Sequence, residues 1–261
     1  MLQAQRLLRV SRSTVDSLAH PMHHNRMTAQ NSRTDWRQVA ILIALALGIG
    51  LLWSTIAVYP LRVLVVLFHE LSHGAAAILT GGEIVEIHID YREGGHCLTR
   101  GGIQFLIVSA GYVGSLVCGA AILYATTRTR SAHYLAGILG AILLLATWIW
   151  IRPFIGFGFV FANLASAALL LTAFHLPHNP NDIVLKVIGL TSCLYAPLDI
   201  KSDIFDTSHA TSDATLLAQQ TGIPAFIWGT LWLTASLAIA LFTLRKVCTS
   251  TTSINADSPR V

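Results

Sequence analysis

Phe68-His69-Glu70-Leu71-Ser72-His73-Gly74 lies inside an uninterrupted apolar run from Leu61 to Gly81. A run of about 18 or more largely uncharged apolar residues reads as a membrane-spanning helix. An ionisable group in hydrocarbon costs at least about 2.5–3.5 kcal/mol on insertion scales, so such groups are retained there for a reason. On a helix, residues four apart share a face, so the imidazoles of His69 and His73 can reach one metal ion with Glu70 beside it. A coincidental match would leave Glu70 unpaired in lipid, whereas a divalent cation offsets the desolvation of all three side chains. This pattern is the HExxH arrangement of zinc sites.

The rest of the chain supplies the membrane context. Of its 261 residues 54% are hydrophobic and only 11% charged, and the mean hydropathy of +0.61 lies far from that of a soluble domain. About seven spans are expected, over 38–59, 61–81, 103–126, 134–151, 154–174, 183–200 and 224–244. The expected fold class is an all-α polytopic membrane protein with a short β-hairpin between spans two and three. The expected organisation is a disordered basic tail over 1–37, a membrane-embedded domain over 38–246 and a disordered tail over 247–261. No room is left for a separate soluble domain. Arg6, Arg9, Arg12, Arg26, Arg33 and Arg37 precede the first span, so the positive-inside rule places the N-terminus in the cytoplasm. The net charge of +4 is spread over loops and tail, which argues against a nucleic-acid partner. Cys97, Cys118, Cys193 and Cys248 form no CxxC pair, so neither a disulfide framework nor a cysteine zinc site is indicated.

A catalytic zinc takes three protein ligands and keeps one position open. Asp199 in span six is the interior carboxylate outside the HExxH segment and is the expected third ligand, with Asp203 one turn further along as the alternative. Spans two and six cross the bilayer in the same sense, so both motifs can share a depth. Arg62 and Lys186 lie near span ends, where snorkelling accounts for them.

Phe68-His69-Glu70-Leu71-Ser72-His73-Gly74 with Gly81-Gly82, Gly111-Tyr112-Val113-Gly114, Leu198-Asp199-Ile200 and Asp203 resembles the site-2 protease family. Ser212-Asp213-Ala214 and Trp228-Gly229 are also similar to its compact branch, which has no PDZ domain. The resemblance covers about residues 60–240 and implies an intramembrane zinc metalloprotease that cuts membrane-anchored proteins. It implies Zn²⁺ held by His69, His73 and an aspartate matching Asp199, with Glu70 as general base. The chain lacks the family's Asn-Pro-Asp-Gly run, carrying Pro197-Leu198-Asp199-Ile200 in its place.

Between spans two and three, Val85, Ile87, Ile89 and Tyr91 alternate with Ile84, Glu86, His88 and Asp90, the period of a strand with one apolar face. Gly94-Gly95 supplies a turn, and His96 to Arg100 can return as a hairpin at the membrane surface. A similar hairpin in the family is thought to hold substrate as an added strand. Gly111, Ser115 and Gly119 form a small-residue stripe expected to pack on span two. Asn163 is read as interhelical glue more readily than as a group that stabilises a reaction intermediate. His88, His96, His175 and His178 are read as solvated loop histidines.

The expected function is therefore peptide-bond hydrolysis in membrane-anchored proteins. Two alternatives stand beside it: a catalytically silent membrane scaffold of the same fold, and a membrane metal transporter using the same ligands. The transporter gives no reason for Glu70 between the histidines.

Overall fold

The computed structural model describes residues 32–128, 132–205 and 212–251. Residues 1–31 and 252–261, most of the two expected tails, lie outside the described residues. The helices and the hairpin all belong to one compact unit, Thr34–Ser250.

Among the described residues eight helices follow the hydrophobic pattern: α1 Trp36–Leu51, α2 Tyr59–Leu79, α3 Gln104–Arg128, α4 Ala132–Trp150, α5 Phe157–His175, α6 His178–Phe205, α7 Asp213–Thr221 and α8 Ala225–Cys248. Each expected span corresponds to one helix, and α7 is an addition. Five of them, α2 to α5 and α8, are long and apolar enough to cross a membrane, so the chain is a multi-pass α-helical membrane protein. The count of seven is approximate for two physical reasons. At 16 residues α1 is short of the roughly 20 that a bilayer core needs. The 28 residues of α6 include Asp182, Lys186, Asp199, Lys201 and Asp203.

Helix α3 packs on α2, α6 and α8, while α4 and α5 pair with each other. The small-residue stripe of α3 serves two neighbours rather than one. Gly111 lies against His69 and His73 of α2, whereas Gly119 lies against Ser192 and Gly189 of α6. Between them Ser192 Oγ donates to the Ser115 carbonyl at 2.7 Å. Asn163 does act as glue: its Oδ1 accepts from Trp148 Nε1 of α4 at 3.2 Å. Lys186 does not snorkel; it is only 7% exposed and pairs with Asp182 one turn before it.

The hairpin has strands β1, Glu83–Ile89, and β2, Gly95–Arg100. They are antiparallel, with Ile87 opposite Cys97 and a register shift between Ile84 and Glu86. Of the expected apolar face only Ile87 and Ile89 are buried, at 0% and 1% exposed, while Val85 and Tyr91 at its two ends are 41% and 61% exposed; the shift between Ile84 and Glu86 breaks the alternation at Val85. The course of the hairpin differs as well. Seven extended residues span about 23 Å, and β1 uses that length to run back along α2. Tyr59 Oη, at the start of α2, donates to the Tyr91 carbonyl at 2.7 Å. Arg62 does not snorkel either, because its Nη2 lies 3.0 Å from Glu93 Oε1 in the hairpin turn. The outer edge of β1 is engaged by a parallel bridge from Ile87 to Ile151 and by Arg152 N donating to Ile87 O at 2.9 Å.

A Cβ at Gly119 would sit 2.6 Å from Ser192 Cβ and 2.9 Å from the Gly189 carbonyl oxygen, so α3 and α6 meet nearly backbone to backbone. Gly119→Leu is therefore expected to cost about 1–3 kcal/mol through overpacking, read as a lowered thermal midpoint in detergent. Gly48→Leu, with nothing within 4 Å of its Cβ position, is expected to leave the midpoint unchanged.

Candidate metal centre

His69 and His73 stand one turn apart on α2, their ring centroids 4.7 Å apart and nearly perpendicular. Gly111 is the residue of α3 that lets this face approach, because a Cβ there would overlap both imidazoles. His73 and Glu70 are 7% and 5% exposed. The His73 Nδ1 donates to the Ile107 carbonyl oxygen at 2.7 Å. In the neutral ring this leaves a lone pair on Nε2, the arrangement that second-shell hydrogen bonds give metal-binding histidines. Tyr112 and His69 pack nearly perpendicular with centroids 4.9 Å apart, and Tyr112 is backed by Trp232 at 5.0 Å.

The carboxylate that the structure brings to this pair is Asp213. It opens α7, whose N-cap Ser212 accepts from Thr215 N at 3.3 Å and whose C-cap is Gly222 at φ +71. Both are ordinary helix-end signals. Asp213 Oδ2 lies 3.1 Å from His69 Nε2 and 3.3 Å from His73 Nε2. Burial alone would raise its pKa, but positive charge on the adjacent imidazoles of His73 and His69, present when those rings are protonated, holds the carboxyl well below the usual carboxylate range. Asp199 and Asp203, the two carboxylates considered from sequence, belong to α6, and their side chains lie outside the described residues. Asp213 stands in the family-like run Ser212-Asp213-Ala214, but it lies outside every apolar run, where a charge does not by itself mark a ligand. The serine cap before Asp213 and the glycine after Thr221 were the available signals for a short helix there.

A divalent metal fits these residues. One ligand atom from each of His69, His73 and Asp213 can be chosen so that all lie within 4.8 Å of one another, the one such group of three or more among the described residues. Asp213 Oδ2 is buried and accepts no well-directed hydrogen bond, although two imidazole nitrogens lie close to it. With the rings neutral, lone pairs converge on a carboxylate in a buried pocket, and a positive charge between them, a metal cation or a shared proton, relieves the repulsion. Two imidazoles and one carboxylate suit zinc better than calcium or magnesium, which prefer all-oxygen sets.

Glu70 faces a cavity of about 360 Å³ that is also lined by His69, His73, Asp213, Tyr195 and the hairpin tip. The Gly95 backbone closes on it, since a Cβ there would lie 2.8 Å from Glu70 Oε1. Cys97 also lines the cavity, but burial, and then the nearby Glu70 charge, push its thiol up to about 12. Without a metal it therefore stays a neutral thiol at neutral pH, and it does not join the group formed by His69, His73 and Asp213. The four cysteines are unpaired. His88 and His96 stack across the hairpin with centroids 5.3 Å apart, and neither joins the His69, His73 and Asp213 group.

The family model described as Peptidase M50B-like matches residues 42–243, well over half of the chain. No curated protein and no solved structure gives a significant match.

Removing the carboxylate tests the ligand set directly. Asp213→Ala is expected to lower bound zinc from about one ion per chain to well under half, because losing even a hydrogen-bond partner of a metal ligand typically costs about tenfold or more in affinity and losing the ligand itself costs more. Metal analysis of the purified protein reads the ratio, with an unchanged thermal midpoint under metal-free conditions as the control for folding.

Proposed function

Because the chain belongs to the Peptidase M50B-like family, a site-2 protease family, we propose that this membrane peptidase is an intramembrane zinc metalloprotease. Its substrates are membrane-anchored proteins, and its N-terminus faces the cytoplasm. The observation that carries the reading is the convergence of Asp213 Oδ2 on both imidazole Nε2 atoms, with Glu70 in the same cavity.

His69, His73 and Asp213 would hold the metal. A zinc ion bound there supplies Lewis acidity toward water and toward a substrate carbonyl. The protein's own groups do the rest. Glu70, on the turn between the two histidines, accepts a proton from the attacking water and returns it to the amine as the peptide C–N bond breaks. The bond from His73 Nδ1 to the Ile107 carbonyl fixes the ring so that Nε2 stays turned to the cavity. Tyr112, wedged between His69 and Trp232, keeps the other ring from rotating away.

A substrate helix in lipid has its carbonyls engaged in intrahelical bonds, so it must unwind before one becomes available. The hairpin offers the unwound segment replacement partners. The outer edge of β1 is engaged by Ile151 and Arg152, whereas Gly95, His96, Cys97 and Thr99 of β2 line the cavity. An extended substrate segment can add to β2 as a third strand. Membership of a peptidase family disfavours the transporter alternative, and the scaffold alternative predicts that loss of Glu70 has no consequence.

Glu70→Gln keeps the shape of the side chain and removes the proton acceptor. Cleavage of a membrane-anchored reporter in proteoliposomes is expected to fall by about 10²–10⁴-fold with bound zinc retained. Equal cleavage by parent and variant would remove Glu70 from the mechanism.

A further inference from the structure

We propose that Arg62 and Tyr59, at the start of α2, are positioning residues that tether the hairpin tip so that its Gly94-Gly95 corner stays seated on Glu70. The inference rests on the proteolytic reading only for its effect on turnover.

The tip is rigid in itself. Asp90 Oδ1 accepts from Arg92 N at 2.6 Å and from Gly94 N at 3.1 Å, and Asp90 N donates to Gly94 O at 2.9 Å. A unit closed in this way moves as one piece, so what fixes its place is its attachment to α2. One attachment is the bond from Tyr59 Oη to the Tyr91 carbonyl, 2.7 Å. The other is the ion pair from Arg62 Nη2 to Glu93 Oε1, 3.0 Å, with side chains only 18% and 20% exposed. Sheltered from water, such a pair is screened weakly, and removing one partner strands the other charge. The Arg62 guanidinium also lies 5.8 Å from the centre of the Trp53 ring, a second attraction that fixes its direction.

The backbone at Glu93 points the same way. Its φ of +66 is the positive value found among the described non-glycine residues, in a region where glycine or asparagine costs less. A glutamate held there is explained by what its side chain does, and its carboxylate meets Arg62. The consequence reaches the reacting group through the chain: Glu93 is followed by Gly94 and Gly95, and a Cβ at Gly95 would lie 2.8 Å from Glu70 Oε1. Arg92, Glu93, Gly94 and Gly95 all line the cavity. Eight residues of helix separate Arg62 from Glu70, about 12 Å along the axis, so Arg62 acts through the tip and not on the reacting atoms.

The test uses the full chain in proteoliposomes with a membrane-anchored reporter, together with hydrogen exchange of residues 91–97. For Arg62→Glu, kcat/KM is expected to fall at least tenfold, mainly through KM, with zinc content unchanged and exchange in 91–97 at least tenfold faster. The swap Arg62→Glu with Glu93→Arg is expected to restore both readouts to within threefold of the parent. Glu93→Gly relaxes the turn backbone while deleting the pair, and is expected to behave like Arg62→Glu without a lowered thermal midpoint. Exchange unchanged in Arg62→Glu and Glu93→Gly, or a swap that rescues neither readout, overturns the proposal. A parent inactive on the reporter would count against the proteolytic reading alone, since exchange still decides the tether.

Discussion

Two imidazoles and a carboxylate that turn their ligand atoms to one point stand at the centre of this protein. The two imidazole nitrogens of His69 and His73 and the Oδ2 of Asp213 converge within 4.8 Å in a pocket where water screens little. Without a positive charge between them the arrangement is unfavourable, and with one it is held from three directions at once. The surrounding architecture serves that convergence. Gly111 brings α3 close enough to wall the imidazoles, Ile107 takes the one ring proton of His73 that would otherwise compete for Nε2, and α7 delivers a carboxylate with its helix end already capped.

The hairpin solves a different problem. On the proposed reading, a hydrolytic centre among apolar helices needs a surface that can engage substrate backbone, and helices, whose own backbone groups are satisfied, do not provide one. By running along α2 instead of away from it, β2 places strand residues beside Glu70 while β1 is anchored to Ile151 and Arg152. The apolar face of the hairpin, Ile87 and Ile89, is buried in the main core cluster with Val63, Leu67 and Ile151. The polar cavity is thus backed by ordinary packing.

What could be read from sequence depended on how local each signal was. The pair His69 and His73 with Glu70 was legible because helical periodicity alone puts them on one face and lipid makes their charge conspicuous. The helices were legible because hydropathy is a property of each run by itself, and the hairpin because alternation and Gly94-Gly95 are local too. Asp213 was visible in the family-like run Ser212-Asp213-Ala214 but not as a ligand, because it lies on a short capped helix outside the apolar runs and only tertiary docking brings it to the imidazoles. Arg62 and Lys186 looked like snorkelling side chains because position within a span says nothing of a partner elsewhere. Glu93 lies in the turn of the hairpin, and the alternation of β1 fixes which residues face inward without fixing the direction in which the hairpin folds back. The small-residue stripe on α3 was visible, but its division between α2 and α6 follows from the crossing of three helices.

The most direct test is X-ray absorption at the zinc edge of the purified parent protein. Two imidazoles and light oxygen ligands at about 2.0–2.2 Å, with no sulfur scatterer, are expected at about one zinc per chain. A sulfur shell near about 2.3 Å, or a protein that takes up no stoichiometric zinc, would contradict the His69, His73 and Asp213 centre.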